Sequence, residues 1–459
     1  MGSVKKTAIK RVSVERLFGL YDYEIPPSDD KEDIATILIL YGDNGSGKTT
    51  LLRLIFHLLA WEHTQGHKSF VARTKFGRVI IEFSNQWQVT AFREGDSLIG
   101  SFRMRLQKGE QMIAETEFIA DSQNSIPREG LKAEENDSFL DQLRKMNLSL
   151  YLLGDDRRIS ITSPEPRRPY LERRRRAELI SEEGSWELVR GWSQEEADPE
   201  QISIRLLEES MDRLRAWIRD HAMRGSTRGE SGVYEIFAGI VENIATDAMR
   251  GQRKKATKRE HLVERIRKIE ERNRDFHAFG LSPSFNGQKL LAAISEAPVN
   301  KFKDIRPIIV PYLESVEAKL DALSDIQKTV ERFVATVNSF VVDKAISFHI
   351  GRGLMIRSRN HEELRPAMLS SGERHLLLLF CNAVTALDRQ TIFIIDEPEI
   401  SLNVKWQRNL ITSLLRFAED RPIQFVFATH SLEILSQHMD KVVKLESRGS
   451  RNEKASSEA

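Results

Sequence analysis

The apolar positions change rhythm along the chain. Residues 37–41, ILILY, form a short continuous apolar run that suits a buried strand, and residues 8–25 read as a strand pair turning at Gly19. From Leu51, LLRLIFHLL continues with helical spacing. Between residues 78 and 120 the pattern alternates: RVIIEF, QWQVTAF, LIGSFRMRL and MIAETEFIA predict antiparallel strands covering one side of a head. Residues 121–146 are polar and read as a surface excursion, after which SLYLL, from Ser149, resumes an apolar strand. Further on, Leu207, Met211, Leu214 and Ile218 recur at helical spacing. Leu313, Val316, Leu320, Leu323, Val330, Val337 and Phe340 keep the same rhythm, with Ile326 and Phe333 slightly out of phase. This predicts helices packed as a short antiparallel coiled coil or small bundle, interrupted at residues 225–232 and 281–286. FHI and LMI, flanking Gly351 and Gly353, read as strands. A helix-like apolar run, a buried strand at residues 392–395, the helix VKWQRNLITSLLRF, the strand FVFATH, the helix SLEILSQHM and the strand KVVKL close the pattern.

The expected fold class is therefore α/β, with the head split by an insertion. Residues 1–160 form its N-terminal part with an antiparallel β subdomain, 161–340 a helical or short coiled-coil insertion, and 341–446 its C-terminal part. Residues 447–459 are expected to be a disordered tail. The length of 459 residues agrees with two or three units of roughly 100–200 residues each.

Composition narrows the class. With 40% hydrophobic and 30% charged residues, the chain reads as soluble, and no apolar run approaches the ~18 residues of a membrane helix. The N-terminus carries charge but no apolar h-region, so no signal peptide is expected. The single cysteine, Cys381, lies in an apolar helix and reads as a buried thiol of a cytoplasmic protein. Lys+Arg (69) nearly equals Asp+Glu (68), so DNA binding would rest on local basic runs. These are Arg167, Arg168 with the arginines at 173–176, and residues 253–258.

The chemistry gathers at two places. Gly42, Asp43, Asn44, Gly45, Ser46, Gly47, Lys48 and Thr49 match GxxxxGK[ST] in full, after a strand and before a helix. Glycines let backbone N–H groups approach phosphates, Lys48 reaches the β/γ-phosphates of ATP, and the Thr49 hydroxyl is a Mg²⁺ ligand. Thr50 extends the nucleotide-binding set. Asp396 and Glu397 stand where an apolar strand stops, the place where open α/β sheets bind ligands. Asp396 suits the second Mg²⁺ carboxylate, and Glu397 the residue that orients or deprotonates the attacking water.

LSSGE, IFIIDEPE, SLN and ATHS, in that order, resemble the signature, Walker B, D-loop and switch histidine of ABC-type ATPases. The resemblance covers about residues 1–160 and 341–459. It implies a homodimer, or a higher homo-oligomer, in which two heads sandwich two ATP molecules. Ser370 and Gly372 of one head would touch the γ-phosphate held by Lys48 of the other, and His430 would sense it from its own head. The chain departs from the family pattern at Ser371, the second signature glycine, and at Asn403 in the D-loop. In place of a Q-loop glutamine it offers Asp155, Asp156, Arg157 and Arg158. PEISLNVKWQ and ATHSLEIL resemble ATPases of the overcoming-lysogenization-defect type, here without the TOPRIM nuclease expected after the switch histidine. That implies a stand-alone ATPase of PARIS-type anti-phage defence, or of Septu-type, working with a separately encoded nuclease or effector and answering a phage trigger protein. The alternatives are a DNA-repair or DNA-clamp ATPase in the manner of the RecF or Rad50 group, whose insertion would bind DNA directly, and a scaffold that binds ATP and barely turns it over.

Overall fold

The computed structural model describes residues 7–26, 36–62, 66–127, 132–156, 159–163, 199–245, 259–419 and 421–445. In chain order the strands and helices begin with β1 (Ile9–Leu17), β2 (Tyr21–Ile25), β3 (Ile37–Tyr41), α1 (Lys48–Leu59) and α2 (His67–Arg73). There follow β4 (Arg78–Phe83), β5 (Trp87–Phe92), β6 (Phe102–Lys108), β7 (Gln111–Phe118), α3 (Ala133–Arg144), β8 (Ser149–Leu153) and β9 (Ile159–Thr162). Next come α4 (Pro199–Ala245), α5 (Arg259–Ala278), α6 (Gly287–Glu296), α7 (Val299–Phe340), β10 (Lys344–His349), β11 (Gly353–Ser358) and β12 (Glu363–Leu364). The chain closes with α8 (Ser371–Thr385), β13 (Thr391–Asp396), α9 (Val404–Ala418), β14 (Ile423–Thr429), α10 (Leu432–Leu435) and β15 (Val442–Lys444). Two compact units result: Met1–Leu206 with Ser370–His375 and Ala386–Ala459, and Leu207–Leu369 with Leu376–Thr385.

The first unit is built on a sheet of order β15-β3-β14-β13-β8-β9, parallel except for the β8–β9 pair. Every residue of β8, β13 and β14 is buried, which explains their unbroken apolar runs: the strands have no solvent face. A second, antiparallel sheet has the order β2-β1-β4-β5-β6-β7. In β4, Val79, Ile81 and Phe83 turn inward while Arg78 stays exposed, the period-two pattern of a sheet with one dry face. The dry face shares one hydrophobic core with α1 and the parallel sheet, through Val14, Ile55, Phe56, Ile81, Met104 and Ile394. A buried glutamine also ties the sheets together. Gln424 of β14 accepts from Ile9 N at 2.8 Å and donates to Ile9 O at 2.9 Å.

The polar stretch at 121–146 is corrected by the structure. It contains α3, whose Phe139, Leu140 and Leu143 are buried in the same core. Three apolar residues on one face suffice when the neighbouring surface is already dry, and Glu134 and Glu135 suit the positive end of the helix dipole. At the far end of α1, Lys68 donates to the carbonyls of His57, Leu58 and Ala60 at 2.8–2.9 Å. The His57 and His67 rings meet Nδ1 to Nδ1 at 2.9 Å. Burial, with the neighbouring cations, pulls these rings far down, to about 3 for His57 and about 4 for His67.

The second unit holds the long helices and the sheet β10-β11-β12. Leu207, Leu214 and Ile218 of α4, and Leu313, Leu320, Leu323, Val330 and Val337 of α7, are buried. Ile326 and Phe333 are buried too, so the apolar stripe is wider than a two-helix seam and matches a bundle. Arg265–Glu317 and Arg272–Asp321 ion pairs, each 2.6 Å, link α5 to α7. The interruption expected at 225–232 is absent, because α4 continues through it. Gly225 serves close packing there: an added Cβ would lie 2.9 Å from the Ala322 carbonyl. A glycine inside a helix costs about 1 kcal/mol relative to alanine, which this approach outweighs. The interruption at 281–286 is present, opened by Gly280 at φ +70° with Leu281 N donating to Phe276 O.

Cys381 is fully buried, and burial pushes its thiol up to about 12. Among the described residues, no helix is long and apolar enough to cross a membrane. Both basic runs (Arg167, Arg168 and 173–176; 253–258), together with Arg157, Arg158 and the tail, lie outside the described residues.

Candidate functional site

All candidate residues that the structure describes belong to the first unit, and all but Ser370 and Gly372, at the start of α8, lie at or just after the ends of β3, β8, β13 and β14. The loop after β3 takes its shape from its glycines. Gly45 and Gly47 have φ of +82° and +84°, which side chains rarely tolerate. A Cβ on Gly47 would also lie 3.0 Å from Leu17 and from Phe18. Tyr23 steadies the loop from beneath, its hydroxyl donating to Ser46 O at 2.8 Å. Lys48 is buried, and its ammonium donates to Gly42 O at 2.7 Å and Asp43 O at 3.0 Å. Burial lowers its pKa, and Glu397, Asp396, Asp43 and Glu399 draw it partly back. Asp43, Asn44 and Gly45 are exposed at the loop's tip, while Thr49 and Thr50 are half-buried in the first turn of α1. A helix N-terminus and a loop of backbone N–H groups favour an anion here.

Asp396 ends β13 with 1% of its surface exposed, and neither carboxylate oxygen has a hydrogen-bond partner. Burial raises its pKa to about 6. Asp155 and Glu397 add to the rise, whereas the Thr49 hydroxyl, close by without completing a bond of normal geometry, and Arg53 oppose it. A dry carboxylate without a donor is costly unless a cation compensates it. Thr49 and Asp396 offer hard oxygen ligands, so the residues fit Mg²⁺.

The parallel register that pairs Asp396 with Ala428 sets the next residues of both strands side by side. Glu397, at φ +48°, donates its N–H to Ala428 O at 2.8 Å. Its Oε1 stands 3.7 Å from His430 Nε2. Asp155, just past β8, is held by Arg53 of α1 at 2.6 Å and bears electrostatically on Asp396. Of the described residues among 155–158, Asp155 is thus the one whose charge acts on Asp396.

Ser370 and Gly372 lie at the start of α8. Ser370 and Glu373 form a reciprocal capping box: Ser370 N and Oγ donate to Glu373 Oε2 at 2.8 and 2.9 Å, and Glu373 N donates back at 3.3 Å. A Cβ on Gly372 would lie 2.4 Å from Ser401 O and 3.3 Å from the Trp406 ring. The start of α8 and the segment before α9 are thus in direct contact. Ser371 opens α8 with helical backbone, where glycine is not needed. Asn403 caps α9, its side chain accepting from Trp406 N at 3.0 Å. Among the described residues, neither Ser370 nor Gly372 hydrogen-bonds the phosphate loop.

One residue outside the sequence-based set stands out. Glu399 Oε1 accepts from Thr429 Oγ1 at 2.8 Å, His430 N at 2.7 Å and Ser431 N at 3.1 Å. Its place two residues after Glu397 was the available signal, but its partners are thirty residues away.

The family match falls on part of this site. Residues 353–436 match the family model described as "AAA domain, putative AbiEii toxin, Type IV TA system". That segment includes Ser370, Asp396, Glu397, Glu399 and His430, and excludes the phosphate loop. The chain is similar to "Retron Ec83 probable ATPase" of Escherichia coli, 34% identical over 91 residues, 17% of this chain. The match spans 16% of that protein's own length. Among solved structures, a Smc head domain of Pyrococcus furiosus with an extended coiled coil, bound to the C-terminal domain of ScpA, aligns at 11% identity with a TM-score of 0.41. That alignment covers 96% of this chain and 94% of the other. A Smc head of Pyrococcus yayanosii with a coiled coil and joint aligns at 13% identity and 0.37, covering 96% and 95%. The family match and the retron relative, with the phosphate loop's geometry, support an ATPase of the AAA/ABC type.

Proposed function

We propose that the chain is a Mg²⁺-dependent ABC-type ATPase whose heads close in pairs on ATP. The observation that carries the reading is Asp396, a buried carboxylate beside the Thr49 hydroxyl and next in sequence to Glu397, whose Oε1 stands 3.7 Å from His430 Nε2. In this reading the backbone of Gly42 to Thr50 and the Lys48 ammonium cradle the triphosphate. Thr49 and Asp396 hold Mg²⁺, which when bound offsets charge on the β- and γ-phosphates. Glu397 takes the proton from water as its oxygen bonds to the γ-phosphorus. The bond to the β–γ bridging oxygen breaks, and ADP leaves with that electron pair. His430 is near enough to Glu397 to respond to its charge and to the γ-phosphate together. Ser370 and Gly372 reach the nucleotide of a second head, and this difference in affinity between open and closed pairs gives ATP its leverage.

The retron relative and the toxin–antitoxin description of the matched family favour anti-phage defence. The chain then acts as sensor or scaffold for a separately encoded nuclease or effector, released by a phage trigger. PARIS-type systems remain the preferred comparison and Septu-type the second, on PEISLNVKWQ and ATHSLEIL.

The test is phosphate release by the purified chain with Mg-ATP, alongside assembly mass with and without ATP. Glu397→Gln is expected to keep ATP, lose turnover and accumulate a closed pair. Wild-type turnover in that variant refutes the catalytic assignment. Purification with neighbouring gene products separates the biological readings. A nuclease-like companion favours defence, whereas a lone dimer retaining DNA, with salt-dependent affinity that falls when the arginines at 173–176 are neutralised, favours the RecF-like alternative.

A further inference from the structure

The turn after β13 does more than carry Glu397. Glu399 lies in it and accepts, on one oxygen, from three consecutive residues, the last of β14 and the two that follow it: Thr429 Oγ1, His430 N and Ser431 N. Ser431 N also meets Thr429 Oγ1 at 3.0 Å, and Ser431 Oγ donates to Gln407 Oε1 at 2.7 Å. Gln407 Nε2 in turn donates to Leu402 O at 2.9 Å. The second Glu399 oxygen is buried and has no hydrogen-bond partner. One carboxylate therefore clamps the His430 loop onto the Glu397 turn, and Gln407 repeats the tie on the far side.

We infer that Glu399 is a positioning residue for the ATPase reaction: it fixes the backbone of His430 and so holds the imidazole at Glu397. The inference rests on the ATPase reading above. The clamp needs both length and charge. Aspartate is one methylene short of the three donors. Glutamine keeps an accepting oxygen but gives up the charge that strengthens all three bonds. A residue that served only to stabilise the fold would act independently of His430. A residue that acts through His430 would not.

The experiment is a double-mutant cycle on the full-length chain, with phosphate release measured over a range of ATP concentrations. Glu399→Ala is expected to lower kcat by about 10–100-fold, as misplacement of a catalytic group does, while KM for ATP stays within about 2-fold. His430→Ala is expected to lower kcat similarly, and the double variant to match His430→Ala within about 2-fold. Glu399→Gln and Thr429→Val, which keep side-chain volume, should give intermediate losses and serve if Glu399→Ala does not fold. A double variant that falls by the product of the single losses overturns the inference. So does an unchanged kcat in Glu399→Gln and Thr429→Val. Glu397→Gln is run beside them. Turnover that survives it overturns both the ATPase reading and this one, whereas its loss combined with multiplicative effects overturns the role of Glu399 alone.

Discussion

Replacing Gly372 by alanine sets two physical effects against each other. Alanine is the better helix former by about 1 kcal/mol, so an unhindered exchange in α8 would stabilise the chain. The structure gives the opposite sign. The new methyl would sit 2.4 Å from Ser401 O, below the 3.0 Å that real Cβ contacts respect, and 3.3 Å from the Trp406 ring. Backbone must yield by about 0.6 Å, and Ser401 is already constrained at φ +65°. Overpacking of this kind costs about 1–3 kcal/mol, leaving a net loss of up to about 2 kcal/mol after the helix gain. Urea unfolding measures the loss. Near-UV circular dichroism, with Trp406→Phe as the subtraction control, reports displacement of the ring. Gly45→Ala is the comparison: nothing lies within 4 Å of its Cβ, so only its positive φ contributes, at roughly 1–2 kcal/mol. Higher stability of Gly372→Ala, with an unchanged Trp406 signal, would refute the contact of Gly372 with Ser401 and Trp406.

Other expectations follow from buried polar groups. Gln424→Leu leaves Ile9 N and O without partners, at about 1–3 kcal/mol each, and should lower the urea midpoint of the head; an unchanged midpoint contradicts the tie between sheets. His57 and His67 have folded pKa values of about 3 and 4, below the ordinary 6.5, so the unfolded chain binds more protons between these values. Stability should fall as pH drops below about 6.5, by up to about 1.4 kcal/mol per pH unit for each ring, and His57→Leu/His67→Leu should flatten the slope measured by denaturant titration. Asp396 runs the other way. Its raised pKa means stability is lost as pH climbs through about 6, so Asp396→Asn without nucleotide or Mg²⁺ should be more stable than wild type at pH 8. The gain is on the order of 3 kcal/mol and should vanish below about pH 4, a trend thermal melts can follow.

What was legible in the sequence was local. ILILY followed by a glycine loop announces a strand, a phosphate loop and a helix, because each segment carries its own backbone requirement. The apolar run at 392–395 and its acidic end were readable for the same reason. Three things were not. Helix α3 shows only Phe139, Leu140 and Leu143 to the core, too sparse a stripe against its acidic residues to stand out. Gly225 looks like a break in the rhythm, and only the carbonyl of Ala322, far along the chain, explains it. Glu399 reads as one more carboxylate until the fold brings Thr429, His430 and Ser431 to it. Spacing encodes periodicity, whereas these contacts depend on which distant segments meet.

The place of β3 between β15 and β14 has a consequence for how the protein is made. Its neighbours are β14 and β15, so the strand that launches the phosphate loop emerges from the ribosome long before either edge is covered. At about 5–20 residues per second, the wait from Tyr41 to Ile423 lasts roughly 20–80 s. Throughout it, a fully apolar strand has both pairing edges open, the condition under which chains join the wrong partner. The hairpin of β1 and β2, together with β4 to β7, is complete much earlier and offers the nascent chain a folded platform. The candidate site, by contrast, comes into being only after β13 and β14 have been made, so chains that stop before them carry the glycine-loop motif without the strands that complete the site.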